Sequence, residues 1–420
     1  MLPRASQHLL RLALPAFLAA LASAPLFAQE PLTLDRVLAD IRAHHPQLRA
    51  DSARSAADRE RIAPAASWAD PIVGLEVQRD TNNRLLSYDQ TEFQITQKIP
   101  LSGNRERRRA VAAAEAEVTA AGGRSREFQL LADARDAFFQ LLRAREQLAL
   151  LRDTDRLLAQ AVEVVRSRLA TGAASLNTLL AAETERAQLR ERVITLEREA
   201  ATATTRLNSL RDLPAQAPVG AIAPPTPPAT FATLEEAQAH ALAHRSELRE
   251  ADARIAAAAR TRELADRAWR PDPEVMLRAR HANAGSQVIY GYDTAVAITV
   301  PWLNNDKYRA AQREAERRRE AATLDAAALR TRTAAEVRDV WQRLASSREN
   351  IALYRDRLLP LAEAAVANAR SALTTSPSAL PDLVAAEKNL RLIRTTLADH
   401  LADTYRLAAL LATLAGADLT

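Results

Sequence analysis

The chain contains no cysteine. That excludes disulfide bridges, thiolate metal sites, a cysteine nucleophile and an N-terminal lipid-modified cysteine. Glycine is scarce, with nine in 420 residues, and Lys98, Lys307 and Lys388 are the only lysines, so the basic excess is arginine. Beyond residue 28 no apolar run is long enough to cross a bilayer as a helix. A sequence pI near 9.8 invites a nucleic-acid reading, but 52 acidic residues stand against 57 basic ones. The two signs interleave, as in Arg105-Glu106-Arg107 and Glu314…Glu316-Arg317. Long solvated helices use such mixed charge for i,i+4 pairing, so no nucleic-acid partner is expected.

The first 28 residues read as a secretory signal. Arg4 and Arg11 form the basic region, Leu9 to Leu26 is almost wholly apolar, and Ala28 ends a small-residue stretch suited to cleavage. Pro15, Pro25 and the modest length distinguish it from a transmembrane anchor. The mature chain is expected to be exported.

What the chain does have is a duplication. Leu34-Asp35 through His44 to Leu48 returns as Leu234-Glu235 through His244 to Leu248. Trp68…Asp70-Pro71 returns as Trp269…Asp272-Pro273, Ile95-Thr96…Pro100 as Ile298-Thr299-Val300-Pro301, and Leu179…Glu183 as Leu383…Glu387. Two copies of one unit packed about a pseudo-symmetry axis are expected, at 29–211 and 232–420. Between them lies a proline-rich linker, 212–231, expected to stay outside the core.

Each half begins with a medium helix, Leu34–Trp68 or Leu234–Trp269, capped by Thr33 or Thr233, with Pro46 and Pro64 bending or splitting the first. The period then changes to two. Strands are predicted at 72–79, 92–100, 274–280 and 290–300, each with one apolar and one polar face. Lengths of about 9–11 residues suit a tilted membrane strand. Trp68, Phe93, Trp269, Tyr290, Tyr292 and Trp302 gather near strand ends as interfacial girdles do. Helical stretches follow at Asn104–Ala170 and Asp306–Leu373, about 100 Å each if unbroken, with Gly122-Gly123 and Pro360 as weak points. Coiled-coil-like spacing runs through Leu141, Leu148, Leu151, Leu158 and Val162. The chain reverses at 171–175 and 374–378 into helices Leu176–Leu210 and Leu380–Leu414, each half as long as its partner. Stacked end to end, the two shorter helices of a half match one long one.

Four strands cannot close a barrel, and an open edge in lipid leaves backbone groups unsatisfied. Several chains must share one barrel: two would give a filled interior, three a lumen. The polar faces, with Glu76, Gln94, Lys98 and Arg278, favour a wet lumen. The fold class expected is mainly α with a membrane β-barrel part.

In this duplicated order the chain resembles the outer membrane factors of the TolC type, the exit ducts of tripartite efflux pumps and type I secretion. The residues that carry the resemblance are Trp68…Asp70-Pro71, the Gln97–Arg105 run and the Gly172…Ser175…Leu179-Leu180-Ala181-Ala182 turn. The Lys98-Ile99-Pro100-Leu101-Ser102-Gly103 run and short length are most similar to the cobalt–zinc–cadmium efflux branch. The resemblance implies a homotrimer with a twelve-stranded barrel in outer-membrane lipid above a helical periplasmic tunnel. It implies a periplasmic adaptor and an inner-membrane transporter of the resistance-nodulation-division type as partners, heavy-metal cations or drugs as cargo, and neither catalysis nor a cofactor. Arg168, Leu169, Gly172, Ser175 and Leu179 match the adaptor-contact turn. Asp382 matches an aperture carboxylate, and Arg370, just before that turn, is a candidate partner for a closing salt bridge. The chain departs from the pattern at Thr178, where aspartate is common, and at Thr375 or Ser376, where glycine is common. The rival reading is a periplasmic coiled-coil structural or adaptor protein. His240 and His244, four apart on a helix, have zinc-ligand spacing, but a helix dense with charge suits a solvated or helix-contact role, and no metal site is expected.

Overall fold

The computed structural model describes residues 31–78, 90–172, 175–224, 231–284, 287–375 and 380–416. The expected signal at 1–28, and positions 376–379 of the second turn, lie outside them. The first repeat runs α1 (Leu34–His44), α2 (Pro46–Glu60), α3 (Ile62–Ala66), β1 (Ile72–Gln78), β2 (Gln90–Lys98), α4 (Asn104–Ala170) and α5 (Leu176–Leu210). The second runs α6 (Leu234–His244), α7 (Ser246–Ala265), β3 (Pro273–Ala284), β4 (Gln287–Ile298), α8 (Asn305–Leu353), a π turn (Tyr354–Leu358), α9 (Leu359–Thr375) and α10 (Leu380–Leu414).

Thr33 and Thr233 cap their helices by accepting the N–H of Arg36 and Glu236. The first medium helix is split by extended His45 before Pro46, as its proline predicts. The second is split at Arg245, in the same place, although Ser246 stands where the proline was. The end of α10 packs at that joint. Gly416, left-handed at φ +68°, ends α10 against it, and a Cβ there would lie 2.7 Å from the carbonyl group of His244. The repeat-equivalent end of α5 is Asp212, also left-handed at φ +59°, and the neighbouring Arg211 pairs with Asp40 at 2.7 Å.

α4 holds 67 residues without a break, about 100 Å. Gly122-Gly123 is not the weak point expected. A Cβ on Gly122 would meet Glu250 of α7 at 3.4 Å and one on Gly123 would meet Asp51 of α2 at 3.6 Å, so both glycines lie inside the helix where two neighbouring helices pack on it at ordinary contact distance. Pro360 does mark a break: lacking an N–H, it follows a π turn that re-pairs the backbone ahead of it.

The largest core cluster surrounds the midpoint of α4. Leu131, Phe138, Leu141 and Leu142 pack there against Val37 and Ile41 of α1 and Ala203 and Leu207 of α5. α1 and α5 therefore meet beside the middle of one long helix, which is the stacking that the lengths required. Val337, Leu344, Ala241 and Leu411 repeat the arrangement in the second half. The duplication extends to ion pairs: Asp51–Arg126 at 2.8 Å matches Asp252–Arg330 at 2.6 Å. The linker departs from expectation. Leu32 donates to the carbonyl of Ala221 at 2.7 Å, Arg145 donates to the Val219 and Gly220 carbonyls, and Val219 and Ile222 pack on the core. Burial lowers the pKa of Arg145, and two carbonyl acceptors keep its charge hydrogen-bonded.

Candidate functional site

The four strands form one antiparallel sheet in the order β1-β2-β3-β4. β1 and β4 each have one edge with no partner strand among the described residues. Cross-strand partners share a face, so register assigns the faces. Glu76 lies opposite Glu92, Gln94 opposite Gly74 and Arg278, and Lys98 opposite Glu274. All four residues expected to line a lumen therefore stand on one face. Glu92, Arg280 and Asp293 join them: Glu92 sits 3.6 Å from both Arg278 and Arg280, and Arg280 pairs with Asp293 at 2.8 Å. The alternation already placed these three on the polar face, but their mutual pairing needs the register.

The opposite face is apolar and bare. Leu75 is 69% exposed, Tyr292 83% and Val296 69%, and Val73, Phe93, Leu277 and Ile298 share that face. Water would penalise such a contiguous patch, whereas lipid would not. Within the described residues the strands span seven to twelve residues, with β3 and β4 longer than expected. Trp68, Trp269 and Trp302 stand exposed at helix–strand junctions, where a girdle belongs. Phe93, Tyr290 and Tyr292 do not: they sit inside β2 and β4.

At the other end of the molecule α4 turns into α5. Thr171 and Gly172 donate to the Arg168 and Leu169 carbonyls at 3.2 and 3.0 Å, and Gly172 adopts φ +72° with nothing near its missing Cβ. Glycine is required there for the backbone angle, not for space. Ser175 caps α5 by accepting from the Thr178 N–H at 3.2 Å, and the two hydroxyls meet at 2.9 Å. Thr178, standing where an aspartate is common, thus completes a cap. Arg168, Leu169 and Leu179 are half-buried, while Leu176 and Leu180 are exposed.

In the second hairpin Asp382 is exposed in the first turn of α10. Arg370 does not reach it; it pairs instead with Glu387 at 2.6 Å. That bond repeats Arg166–Glu183 at 2.9 Å in the first hairpin, so Arg370 staples α9 to α10 within the protomer. A cleft of about 350 Å³ lies between the hairpins, floored by Leu157, Leu158, Val164, Leu383 and Val384.

Several polar ties cross from hairpin to hairpin, two of them near the cleft. Glu185 of α5, only 7% exposed, accepts from Lys388 at 2.8 Å and from Arg391, both on α10. Burial pushes its carboxyl up, but the two cations outweigh that and hold it below the usual glutamate range. Gln147 of α4 donates to Asp399 of α10, whose carboxyl burial pushes up.

The His240 and His244 rings meet at 4.3 Å, tilted by 41°, with His240 Nδ1 2.7 Å from the Ala415 carbonyl and His244 Nδ1 3.2 Å from Arg249. They serve the α10 joint. Among the described residues no group of three or more acidic or histidine side chains has metal-site geometry.

Residues 37–211 match the outer membrane efflux protein family. A comparison with curated proteins gives no match. The fold is that of solved outer-membrane channels. The outer-membrane channel OprN superposes with a TM-score of 0.78 at 18% identity, over 91% of this chain and 89% of that one. CusC, described for its folding and transmembrane channel formation, gives 0.77 at 18%, over 91% and 92%. The outer membrane protein VceC of Vibrio cholerae gives 0.76 at 16%, over 92% and 97%.

Proposed function

We propose that this chain, an outer membrane efflux protein by its matched first repeat and by its fold, is one subunit of a homotrimeric exit duct in the outer membrane of a Gram-negative bacterium. It is a channel protein and not an enzyme. The observation that carries the reading is a four-stranded sheet with two bare edges and an exposed apolar face, mounted on helices about 100 Å long. Three such sheets joined edge to edge make twelve strands, enough for a lumen, with Glu76, Gln94, Lys98 and Arg278 turned inward. The exposed apolar face argues against the soluble structural or adaptor protein that the helices alone would allow.

The duct is passive. Substrate arrives from an inner-membrane transporter, of the resistance-nodulation-division type, through a periplasmic adaptor that meets the hairpin tips at Arg168, Leu169, Gly172, Ser175 and Leu179. Exposed Leu176 and Leu180 beside that turn supply apolar surface for such a contact. Asp382 copies, related by the threefold axis, form an acidic ring at the periplasmic aperture that favours cations. The cargo class, heavy-metal cations or drugs, rests on the Lys98–Gly103 run; TM-scores of 0.78 and 0.77 to OprN and CusC do not separate the branches. The purified protein is expected to migrate as a heat-modifiable trimer, partition with membranes and give discrete conductance steps in planar bilayers. A soluble periplasmic monomer without conductance refutes the reading.

A further inference from the structure

A level of the molecule carries cations that its own carboxylates do not answer. At the helix–strand junctions, exposed Trp68, Trp269, Leu101, Trp302 and Leu303 mark the periplasmic edge of the apolar band. Arg108 and Arg109 of α4, and Lys307 and Arg309 of α8, stand exposed within five residues of a helix start, about 3–8 Å along its axis. Arg270, also exposed, lies over the Trp269 ring at 5.7 Å, and Lys307 lies over Tyr308 at 5.8 Å.

Local pairing does not account for these five. Glu106 is taken by Arg105 and Asp266 by Arg262, while Asp272 accepts the Ser102 N–H and keeps its charge. Asp70, Asp272, Glu274 and Asp306 stand close along the chain, and among the described residues no ion pair joins them to the five. The first turns of a helix are also where its dipole disfavours cations. Elsewhere the long helices answer most arginines in kind, as in Arg317–Glu320, Arg318–Glu314 and Arg319–Glu316.

We propose that this collar binds the phosphate headgroups of anionic phospholipids in the periplasmic leaflet. The headgroup zone spans about 5–7 Å beyond the hydrocarbon edge, and long basic side chains extend toward it while their stems stay on apolar surface. A ring of basic residues there is matched to negative surface charge, each contributing about a fivefold gain in affinity, the equivalent of ~1 kcal/mol. The proposal rests on the outer-membrane reading above.

The test uses the purified full-length trimer in phosphatidylcholine vesicles with and without phosphatidylglycerol, followed by lipid retention in native mass spectrometry. Wild type is expected to retain phosphatidylglycerol preferentially. Arg108→Gln/Arg109→Gln/Arg270→Gln is expected to lower that preference about a hundredfold, from three such increments. A control with equal charge loss, Arg190→Gln/Arg338→Gln/Arg357→Gln, removes exposed arginines far below the collar and is expected to leave it intact. No preference in wild type, or equal loss in the control, overturns the proposal. Conductance in pure phosphatidylcholine separates the two ideas: channels without lipid preference refute only the collar, whereas no insertion in either lipid refutes the duct and the collar with it.

Discussion

Replacing Glu185 with alanine would remove the carboxylate that ties α5 to α10, and its cost can be worked from exposure. Lys388 is 56% exposed, so water and salt already answer most of its charge, and its bond contributes ~0–1 kcal/mol. Arg391 is 17% exposed and would lose its one carboxylate partner among the described residues. Stranding a fully buried charge costs about 3–5 kcal/mol, and partial solvent access reduces that to ~1–2. The sum is ~2 kcal/mol, or about a thirtyfold increase in local opening. Hydrogen exchange read on the α10 stretch from Arg391 to Asp399 should show it, while Leu131–Leu142 of α4 stays protected. Glu185→Leu/Arg391→Met, which removes both charges, should recover most of the protection. Acid should act like the mutation. The folded carboxyl titrates below its ordinary value of 4.5, so the tie is complete above that pH and is lost as pH falls through the depressed pKa. Less than a threefold change in exchange on Glu185→Ala would refute the tie.

Gly416→Ala should lower the trimer's melting temperature by several degrees, because φ +68° and a 2.7 Å approach to His244 both oppose a Cβ, while Asp212→Gly at the equivalent position should be neutral or stabilising. Leu75→Arg puts a charge on the lipid face at a cost of about 2–4 kcal/mol near the midplane and should block assembly, whereas Glu76→Arg on the opposite face should assemble with altered ion selectivity; equal outcomes would overturn the face assignment. Asp382→Ala should reduce cation selectivity and divalent block in single-channel records, and unchanged records would remove the acidic ring from the duct. Arg370→Gln and Arg166→Gln, as matching exposed staples, should each cost under about 1 kcal/mol in thermal melts, and a large effect at one alone would end their equivalence.

Much of this architecture is legible along the chain because periodicity and length are local properties. The 67 residues of α4 are bounded by Gly103 and by Thr171-Gly172, and the alternation of Val73, Leu75 and Val77 with Gly74, Glu76 and Gln78 assigns two faces. What escapes local reading depends on partners distant in sequence. Gly122-Gly123 reads as a weak point, yet the helix runs through it with α2 and α7 packed alongside. The break at Arg245 carries no proline, and the close approach of Gly416 to it is visible only in the fold. The linker reads as outside the core because its prolines are visible and the bridge from Leu32 to Ile222 is not. At the tips, Arg370 reads as a candidate partner for a closing salt bridge, and only the fold shows Glu387 seventeen residues on as its partner.

The bare strands β1 and β4 also dictate how copies of this chain come together. A monomer exposes two raw edges, and so does a pair of joined subunits. Only a third copy removes both at once, forming two seams in a single event. Assembly of the proposed ring is therefore all-or-none, with the half-built pair scarcely populated at any concentration. It is also open to poisoning: one subunit with a spoiled edge leaves a whole ring unclosed, so intact rings fall with the cube of the sound fraction.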